Sequence, residues 1–257
     1  MNIHWKSLKG LLFDMDGVWF VGDKPIPGAI ETLRHIRERQ IPCRFITNTT
    51  TQSLAQLEEK MQRLELPANA SEIINAPRAA VLYLQSLGSP SIHCLVHENV
   101  RDGFDEFTES AHPDYVVIGE IGDRWTYAIM NEAFRMLIDG AQLLAMHRGR
   151  YWQVDDGLAI DIGAFIAGLE YASGKEAIIV GKPAPTVFTS ALKDMQLQAE
   201  EVVMVGDDID ADIGGAQSAG IRGVLVKTGK YREDLVSQSG VPADAMIESV
   251  AALRDLI

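Results

Sequence analysis

Four short apolar runs, each followed at once by polar residues, constrain the fold of this chain most strongly. The first run, residues 11–13, ends in the sequence Asp14-Met15-Asp16-Gly17. An apolar run that stops at a turn glycine predicts a buried strand with polar residues at its carboxyl end. Open α/β sheets bind their ligands at that end of their strands. The first run therefore predicts two carboxylates, those of Asp14 and Asp16, at a ligand site.

The other three runs end in side chains that suit a phosphate group and a divalent cation. They are followed by Thr-Asn-Thr-Thr at residues 47–50, by Gly-Lys-Pro at 181–183 and by Gly-Asp-Asp at 206–208. Hydroxyl and amide groups donate hydrogen bonds to phosphate oxygens, a lysine offsets their charge, and carboxylates bind hard cations. The four segments are therefore complementary to one phosphorylated ligand and its metal ion.

Strand-like and helix-like segments alternate along the chain, which predicts an α/β fold with a doubly wound parallel sheet. Apolar residues at intervals of three and four predict helices over about residues 30–40 and 53–64. The alternation resumes after residue 181, with a helix to Met195, a strand at 202–205, a helix after Asp212 and a strand at 223–226. These segments predict a Rossmann-like core.

A second alternating set lies between these two parts of the core. Residues 79–180 contain enough apolar periodic segments for a core of their own and are bounded by loops rich in proline and glycine. We therefore predict that residues 1–78 and 181–257 form the core domain and that residues 79–180 form a smaller, inserted α/β cap domain.

Composition narrows the partners that can be expected. A net charge of −13 argues against binding to nucleic acid or to an anionic membrane surface, because both would be repelled. No apolar stretch approaches membrane-spanning length and the first residues do not look like a signal peptide, so a cytoplasmic location is the default expectation. In a reducing compartment, Cys43 and Cys94 are expected to be free thiols.

The four runs and their polar residues resemble, in the same order, the four motifs of the haloacid dehalogenase superfamily of phosphatases. The resemblance spans essentially the whole chain. It is strongest to the branch with a large α/β cap between the second and third motifs, which includes the phosphoglycolate, p-nitrophenyl-phosphate and phospholysine-phosphohistidine-pyrophosphate phosphatases. It implies a magnesium-dependent phosphohydrolase that acts on small phosphorylated metabolites through an aspartyl-phosphate intermediate.

Other functions remain open at this stage. Phosphoryl transfer to an acceptor other than water is compatible with the same motifs. A catalytically silent phosphate-binding or regulatory protein could also retain the fold, although a binding protein has no need of a second acid at Asp16. Related proteins often dimerise through the cap, so a homodimer is compatible with the resemblance. The physiological substrate is not specified by these motifs.

The resemblance implies a role for each catalytic residue. Asp14 would be the nucleophile, and Asp16 would protonate the leaving group and then accept the proton of the attacking water. Lys182 would offset the charge of Asp14 and of the phosphate. Thr47 and Asn48 would donate hydrogen bonds to the phosphate, although both residue types are also common as helix caps.

The resemblance also implies a set of magnesium ligands and supporting residues. The ligands would be the carboxylates of Asp14 and Asp207 and the backbone carbonyl of Asp16. Asp212 would orient metal-bound waters or the catalytic lysine. Asp208 lies at a position that varies in the family, so support or solvation is expected of it.

One cap residue is a candidate for substrate specificity. Residues 155–165 resemble the cap segment that faces the active site in related proteins, and Asp161 lies within them. Relatives often carry Gly-Pro where this chain has Asp161-Ile162. The alternative is that Asp161 caps the helix that follows it.

Overall fold

The computed structural model describes residues 3–5, 8–154 and 157–257, except for the side chains of 152–154 and 157–158. The strands are β1 (Gly10–Phe13), β2 (Phe20–Val21), β3 (Lys24–Pro25), β4 (Cys43–Thr47), β5 (Ile73–Asn75), β6 (Ile92–Leu95), β7 (Tyr115–Ile118), β8 (Gln142–Ala145), β9 (Tyr151–Val154), β10 (Gly157–Ile160), β11 (Ile178–Ile179), β12 (Val202–Gly206), β13 (Arg222–Val226) and β14 (Ala245–Ile247). The α-helices are α1 (Ala29–Glu38), α2 (Leu54–Arg63), α3 (Ala76–Ser86), α4 (Glu98–Arg101), α5 (Tyr127–Ile138), α6 (Ile162–Ser173), α7 (Pro185–Met195), α8 (Gly215–Ser218) and α9 (Glu233–Ser239).

The chain divides into two compact units. The core unit comprises Met1–Thr47, Leu54–Ile74 and Lys182–Ile257, and the inserted unit comprises Asn48–Ser53 and Asn75–Gly181. The sequence predicted an insert of residues 79–180, whereas residues 48–53, residues 75–78 and Gly181 also group with the inserted unit. The function of this unit as a cap stays a prediction.

The core unit is built on a six-stranded sheet with the order β14-β13-β12-β1-β4-β5. Strand β1 is parallel to both of its neighbours, β12 and β4. The chain leaves β1 to build one side of the sheet and returns later to build the other, so β1 lies at the topological switch point. In open α/β sheets, the crevice at this point is where ligands bind. The predicted fold class, a doubly wound parallel α/β sheet, is confirmed.

Burial explains why these segments form strands. All four residues of β1 and all five of β12 are buried, as expected for parallel strands covered on both faces. The turn after β1 is anchored by Trp19, which is fully buried. Its ring lies edge-on to Phe13 at 4.8 Å and to Phe45 at 5.9 Å between centroids. This aromatic cluster holds residues 14–20 against the core.

The inserted unit contains its own four-stranded sheet, with the order β11-β8-β7-β6, in which every pairing is parallel. A separate antiparallel hairpin joins β9 to β10. Helices α5 and α6 pack on each other. Among the described residues, no helix combines the length and the apolar character needed to cross a membrane.

Two helix starts differ from the sequence prediction. Helix α7 begins at Pro185 rather than near Gly181, because proline is well suited to the first turn of a helix. The helix predicted after Asp212 begins earlier, as a π-helical turn over Ile209–Gly214 that continues into α8. The edge strand β14 was not predicted, because its three residues carry little apolar pattern.

Candidate active site

Strand register brings three predicted site residues to the same edge of the core sheet. Phe13 is paired with both Val205 and Phe45, so the residues that follow these three emerge together. The amide of Asp14 donates to the carbonyl of Val205 at 2.9 Å, which continues the ladder to the start of the turn at residues 14–17. Asp14, Thr47 and Asp207 are all buried.

Lys182 links two of the acids. Its Nζ donates to Asp14 Oδ1 at 2.5 Å and to Asp212 Oδ1 at 2.6 Å. Burial alone would lower the pKa of this lysine, but the charges of Asp14 and Asp212 outweigh burial and raise it above the usual value. Lys182 therefore stays protonated at neutral pH, and it holds the Asp14 carboxylate through Oδ1.

Asp212 organises the loop after β12. It is fully buried, and its Oδ2 accepts hydrogen bonds from the amides of Asp207 and Asp208, both at 3.1 Å. Burial raises the pKa of Asp212 to about 6, with Lys182 opposing the rise. Both oxygens of Asp212 are thus engaged within the protein, which suits the supporting role predicted for it.

Asp208 has a structural role. Its side chain accepts from the amides of Asp210 and Ala211, at 3.1 and 2.9 Å, and so caps the π-helical turn. The expectation of support rather than chemistry fits this geometry.

The carboxylates of Asp14, Asp207 and Asp212 form a cluster that could hold a metal ion, with one oxygen of each within 4.8 Å of the others. Asp207 Oδ2 accepts from the amide of Lys230 at 2.6 Å. Asp207 Oδ1 is buried and has no hydrogen-bond partner among the described residues. Three crowded carboxylates with an unpaired oxygen fit a hard divalent cation. The donor set is therefore suited to magnesium.

Without a cation, the crowding of the three carboxylates changes the pKa of Asp207. Burial raises the pKa of Asp207 to about 8, and the nearby charges of Asp14 and Asp212 add to the effect. A carboxyl group with so high a pKa retains its proton at neutral pH unless a cation replaces that proton.

Asp207→Asn is expected to make the metal-free protein more stable at pH 8. In the wild type the folded pKa of about 8 exceeds the ordinary 3.8, so the free energy of unfolding falls as the pH rises from about 4 to 8. The neutral amide lacks this dependence, so the gain should shrink towards pH 4. Thermal melts in chelator at several pH values measure the difference in stability between the two proteins. At pH 8, added magnesium should make the wild type the more stable of the two proteins, because it stabilises only the wild type. If the stability of both proteins depended on pH in the same way, the raised pKa of Asp207 would be contradicted.

The loop at residues 228–230, which was not predicted from the sequence, contacts the acidic cluster at Asp207. Gly17 and Gly229 both have positive φ, at +83° and +61°, and a Cβ on either would overlap Asp207 Oδ2. Thr228 Oγ1 also donates to the carbonyl of Gly17 at 2.5 Å. The signal was available, because residues 223–226 form a fifth apolar run that ends in Lys-Thr-Gly-Lys.

The pKa of Asp16 is shifted upward. Protein atoms that crowd its carboxyl raise its pKa above the usual value; the charge of Lys60 lowers it, Asp14 raises it, and Lys230 lowers it by a smaller amount. A rise in pKa is the direction that suits a general acid.

Thr47 and Asn48 fall in different units. Thr47 ends β4 in the core unit, whereas Asn48 belongs to the inserted unit. Helix α2 begins at Leu54, so neither residue is close enough to cap it. Their predicted contacts with phosphate stay predictions.

Asp161 caps helix α6. Its Oδ1 accepts from the amide of Ile162 at 2.7 Å, and its Oδ2 lies 3.9 Å from Nδ1 of His147. This is the structural alternative considered for Asp161, and a role in specificity stays a prediction. Asp155 and Asp156 of the same predicted segment lie outside the described residues.

The two cysteines are free and poorly suited to nucleophilic catalysis. Burial raises the pKa of Cys43 to about 11 and that of Cys94 to about 12. Because the thiolate is the reactive form, both thiols are inert at neutral pH.

Comparison with known proteins identifies the class that this fold and site define. The family model for the haloacid dehalogenase-like hydrolases matches residues 11–108, and a second, HAD-hydrolase-like model matches residues 179–253. The chain belongs to the haloacid dehalogenase-like hydrolase family. The resemblance predicted from the four motifs is confirmed.

Three similar proteins illustrate this relationship. The haloacid dehalogenase-like hydrolase domain-containing protein 2 of Bos taurus is 42% identical over 88% of this chain and 87% of its own. The phospholysine phosphohistidine inorganic pyrophosphate phosphatase of Bos taurus is 36% identical over 98% of this chain and 94% of its own. The structure of a p-nitrophenyl phosphatase from Archaeoglobus fulgidus superposes with a TM-score of 0.91 at 25% identity, covering 97% of this chain and 99% of that one.

Proposed function

We propose that the protein is a magnesium-dependent phosphatase that hydrolyses small phosphorylated metabolites through an aspartyl-phosphate intermediate. The observation that carries the proposal is the buried group of Asp14, Asp207 and Asp212, bridged by Lys182 at the switch point of the sheet. Relatives named as phosphatases support the reaction class.

The first chemical step is attack by Asp14. Its carboxylate forms a bond to the phosphorus atom while the bond from phosphorus to the leaving oxygen breaks. Lys182 donates to Oδ1 of Asp14 at 2.5 Å, which holds the carboxylate in place for attack. Asp16, with its raised pKa, donates a proton to the leaving oxygen.

The second step regenerates the enzyme. Asp16, now ionised, accepts a proton from a water molecule that attacks the phosphorus of the aspartyl phosphate, and the bond to Asp14 breaks to release inorganic phosphate. A magnesium ion held by Asp14 and Asp207 and by the carbonyl of Asp16 would neutralise charge on the phosphoryl oxygens. A silent phosphate-binding protein would need neither the attack nor the proton transfers.

Hydrolysis of p-nitrophenyl phosphate is expected to require magnesium and to cease in chelator. Calcium should bind but support little turnover, because it accepts more oxygens at longer distances and so permits both Asp14 oxygens to coordinate. Initial rates with each metal, and with an Asp14→Asn blank, provide the test. Full activity in chelator or in calcium would contradict the metal assignment, and no activity with any metal would favour the silent protein.

A further inference from the structure

The loop at residues 228–230 connects the turn at residues 14–17 to the acid at the end of β12. In the core sheet, β12 lies between β13 and β1, so the loop that follows β13 has to cross the end of β12 to reach the turn after β1. Thr228 makes that contact, because its Oγ1 donates to the carbonyl of Gly17 at 2.5 Å across 211 positions of the sequence. The loop therefore ties together the ends of two strands that are not neighbours in the sheet.

Asp207 lies between the loop and the turn. Its Oδ2 accepts from the amide of Lys230 at 2.6 Å, and a Cβ on Gly17 or on Gly229 would overlap the same oxygen. The two glycine backbones also approach each other closely, because a Cβ on Gly229 would overlap Cα of Gly17. Asp207 Oδ1, in contrast, is buried and has no hydrogen-bond partner among the described residues. The loop thus holds one oxygen of Asp207 and leaves the other without a contact that would compete with a cation.

The chain that follows the loop is lightly packed. It continues into α9, in which every residue is exposed or half-buried. Tyr231 and Val236 are only partly buried, and they pack on a cluster of three buried residues that is separate from the main core. Lightly packed segments open locally at a low cost in free energy. The position of the loop therefore depends strongly on its hydrogen bonds to Gly17 and Asp207.

We propose that Thr228 is a positioning residue for the magnesium site. Its hydroxyl ties the turn at residues 14–17 to the loop that holds Asp207, and so it sets the spacing between the Asp16 carbonyl and the Asp207 carboxylate before a cation binds. A hydroxyl is uncharged, so this tie does not weaken the negative field that attracts the cation. The proposal rests on the proposed function, in which both groups are magnesium ligands.

Thermal melts at increasing magnesium concentration test the proposal without turnover. A ligand that binds only the folded protein raises its melting temperature, and the dependence on concentration gives the dissociation constant. Thr228→Val keeps the shape of the side chain but removes the hydroxyl donor. It should raise the magnesium dissociation constant by about tenfold or more, as expected when a group that orients metal ligands is lost. Thr228→Ser retains the hydroxyl and should bind magnesium as the wild type does.

Thr32→Val is the matched control. The Thr32 hydroxyl donates to the carbonyl of Gly28 at 2.8 Å at the start of α1, so this variant also removes a hydrogen bond from a hydroxyl to a glycine carbonyl in the core unit. Its magnesium dissociation constant should equal that of the wild type, whatever its stability. An unchanged dissociation constant in Thr228→Val, or an equal rise in Thr32→Val, would overturn the proposal. If Thr228→Val does not fold, Thr228→Ala removes the same hydroxyl and takes its place in both comparisons.

Kinetics separate this proposal from the phosphatase assignment. With p-nitrophenyl phosphate, Thr228→Val should need about tenfold more magnesium for its half-maximal rate, while kcat at saturating magnesium and KM for the substrate stay close to the wild-type values. A wild type that hydrolyses no phosphate ester would refute the phosphatase assignment, and the melts would still decide on Thr228. An active wild type whose magnesium requirement is unchanged by Thr228→Val would refute the role of Thr228 alone.

Discussion

Asp14→Asn is expected to abolish turnover, by about 10⁴-fold or more, while the core unit stays folded. The amide has the shape of the carboxylate and can still accept from Lys182, but it is not a nucleophile towards phosphorus. Initial rates on p-nitrophenyl phosphate with excess magnesium measure the loss. Circular dichroism and the melting temperature report on the fold.

Asp210→Asn is the matched control for this variant. Asp210 is an exposed aspartate in the π-helical turn that follows β12, and its backbone amide rather than its carboxylate makes the local contact with Asp208. Asp210→Asn should therefore hydrolyse p-nitrophenyl phosphate at the wild-type rate. A rate close to that of the wild type in Asp14→Asn would rule out the covalent mechanism, whereas an equal loss in Asp210→Asn would point to a general effect of negative charge.

Asp16→Asn is expected to slow hydrolysis of alkyl phosphates by about 10²-fold, because the leaving alkoxide is no longer protonated. The rate of the first step should fall less with p-nitrophenyl phosphate, because its leaving group departs without a proton. The second step also loses its base, so the aspartyl phosphate should accumulate on Asp14. Stopped-flow release of p-nitrophenolate should show a burst, and intact mass spectrometry should show one added phosphoryl group.

A different pattern of losses in Asp16→Asn would contradict a role of Asp16 in proton transfer. Loss of the same size on good and poor leaving groups, with no burst and no added mass, would show that Asp16 positions the substrate and does not transfer protons. The raised pKa of Asp16 would then reflect only the crowding of its carboxyl.

Much of the site could be predicted from the sequence because parallel strands deliver their carboxyl ends to one edge of the sheet. Apolar runs before Asp14, Thr47 and Asp207 were sufficient to place these residues at the carboxyl ends of strands in one parallel sheet. Lys182 follows the short strand β11, which pairs with β8 of the inserted unit. Its contacts with Asp14 and Asp212 could not be predicted from strand pattern alone, because they depend on how the segment after β11 returns to the core.

The glycine-lined loop at residues 228–230 was missed for a different reason. Its contact with Asp207 requires β13 to lie beside β12, and adjacency of strands is not encoded in the pattern of any single run. Lys60 was likewise part of a predicted helix, but its position over Phe20 depends on the turn that Trp19 anchors. Contacts of this kind come from tertiary packing, which local periodicity does not report.

The order of strands around β1 has a consequence for synthesis of the chain. One neighbour of β1, the strand β4, is made soon after it, but the other, β12, is about 190 residues distant in sequence. Until residues 202–206 leave the ribosome, the apolar strand β1 keeps one unpaired edge, and such edges promote aggregation. The Lys182–Asp14 contact spans 168 residues. The nascent chain therefore pairs the second edge of β1, and brings Lys182 to Asp14, only after the whole inserted unit has been made.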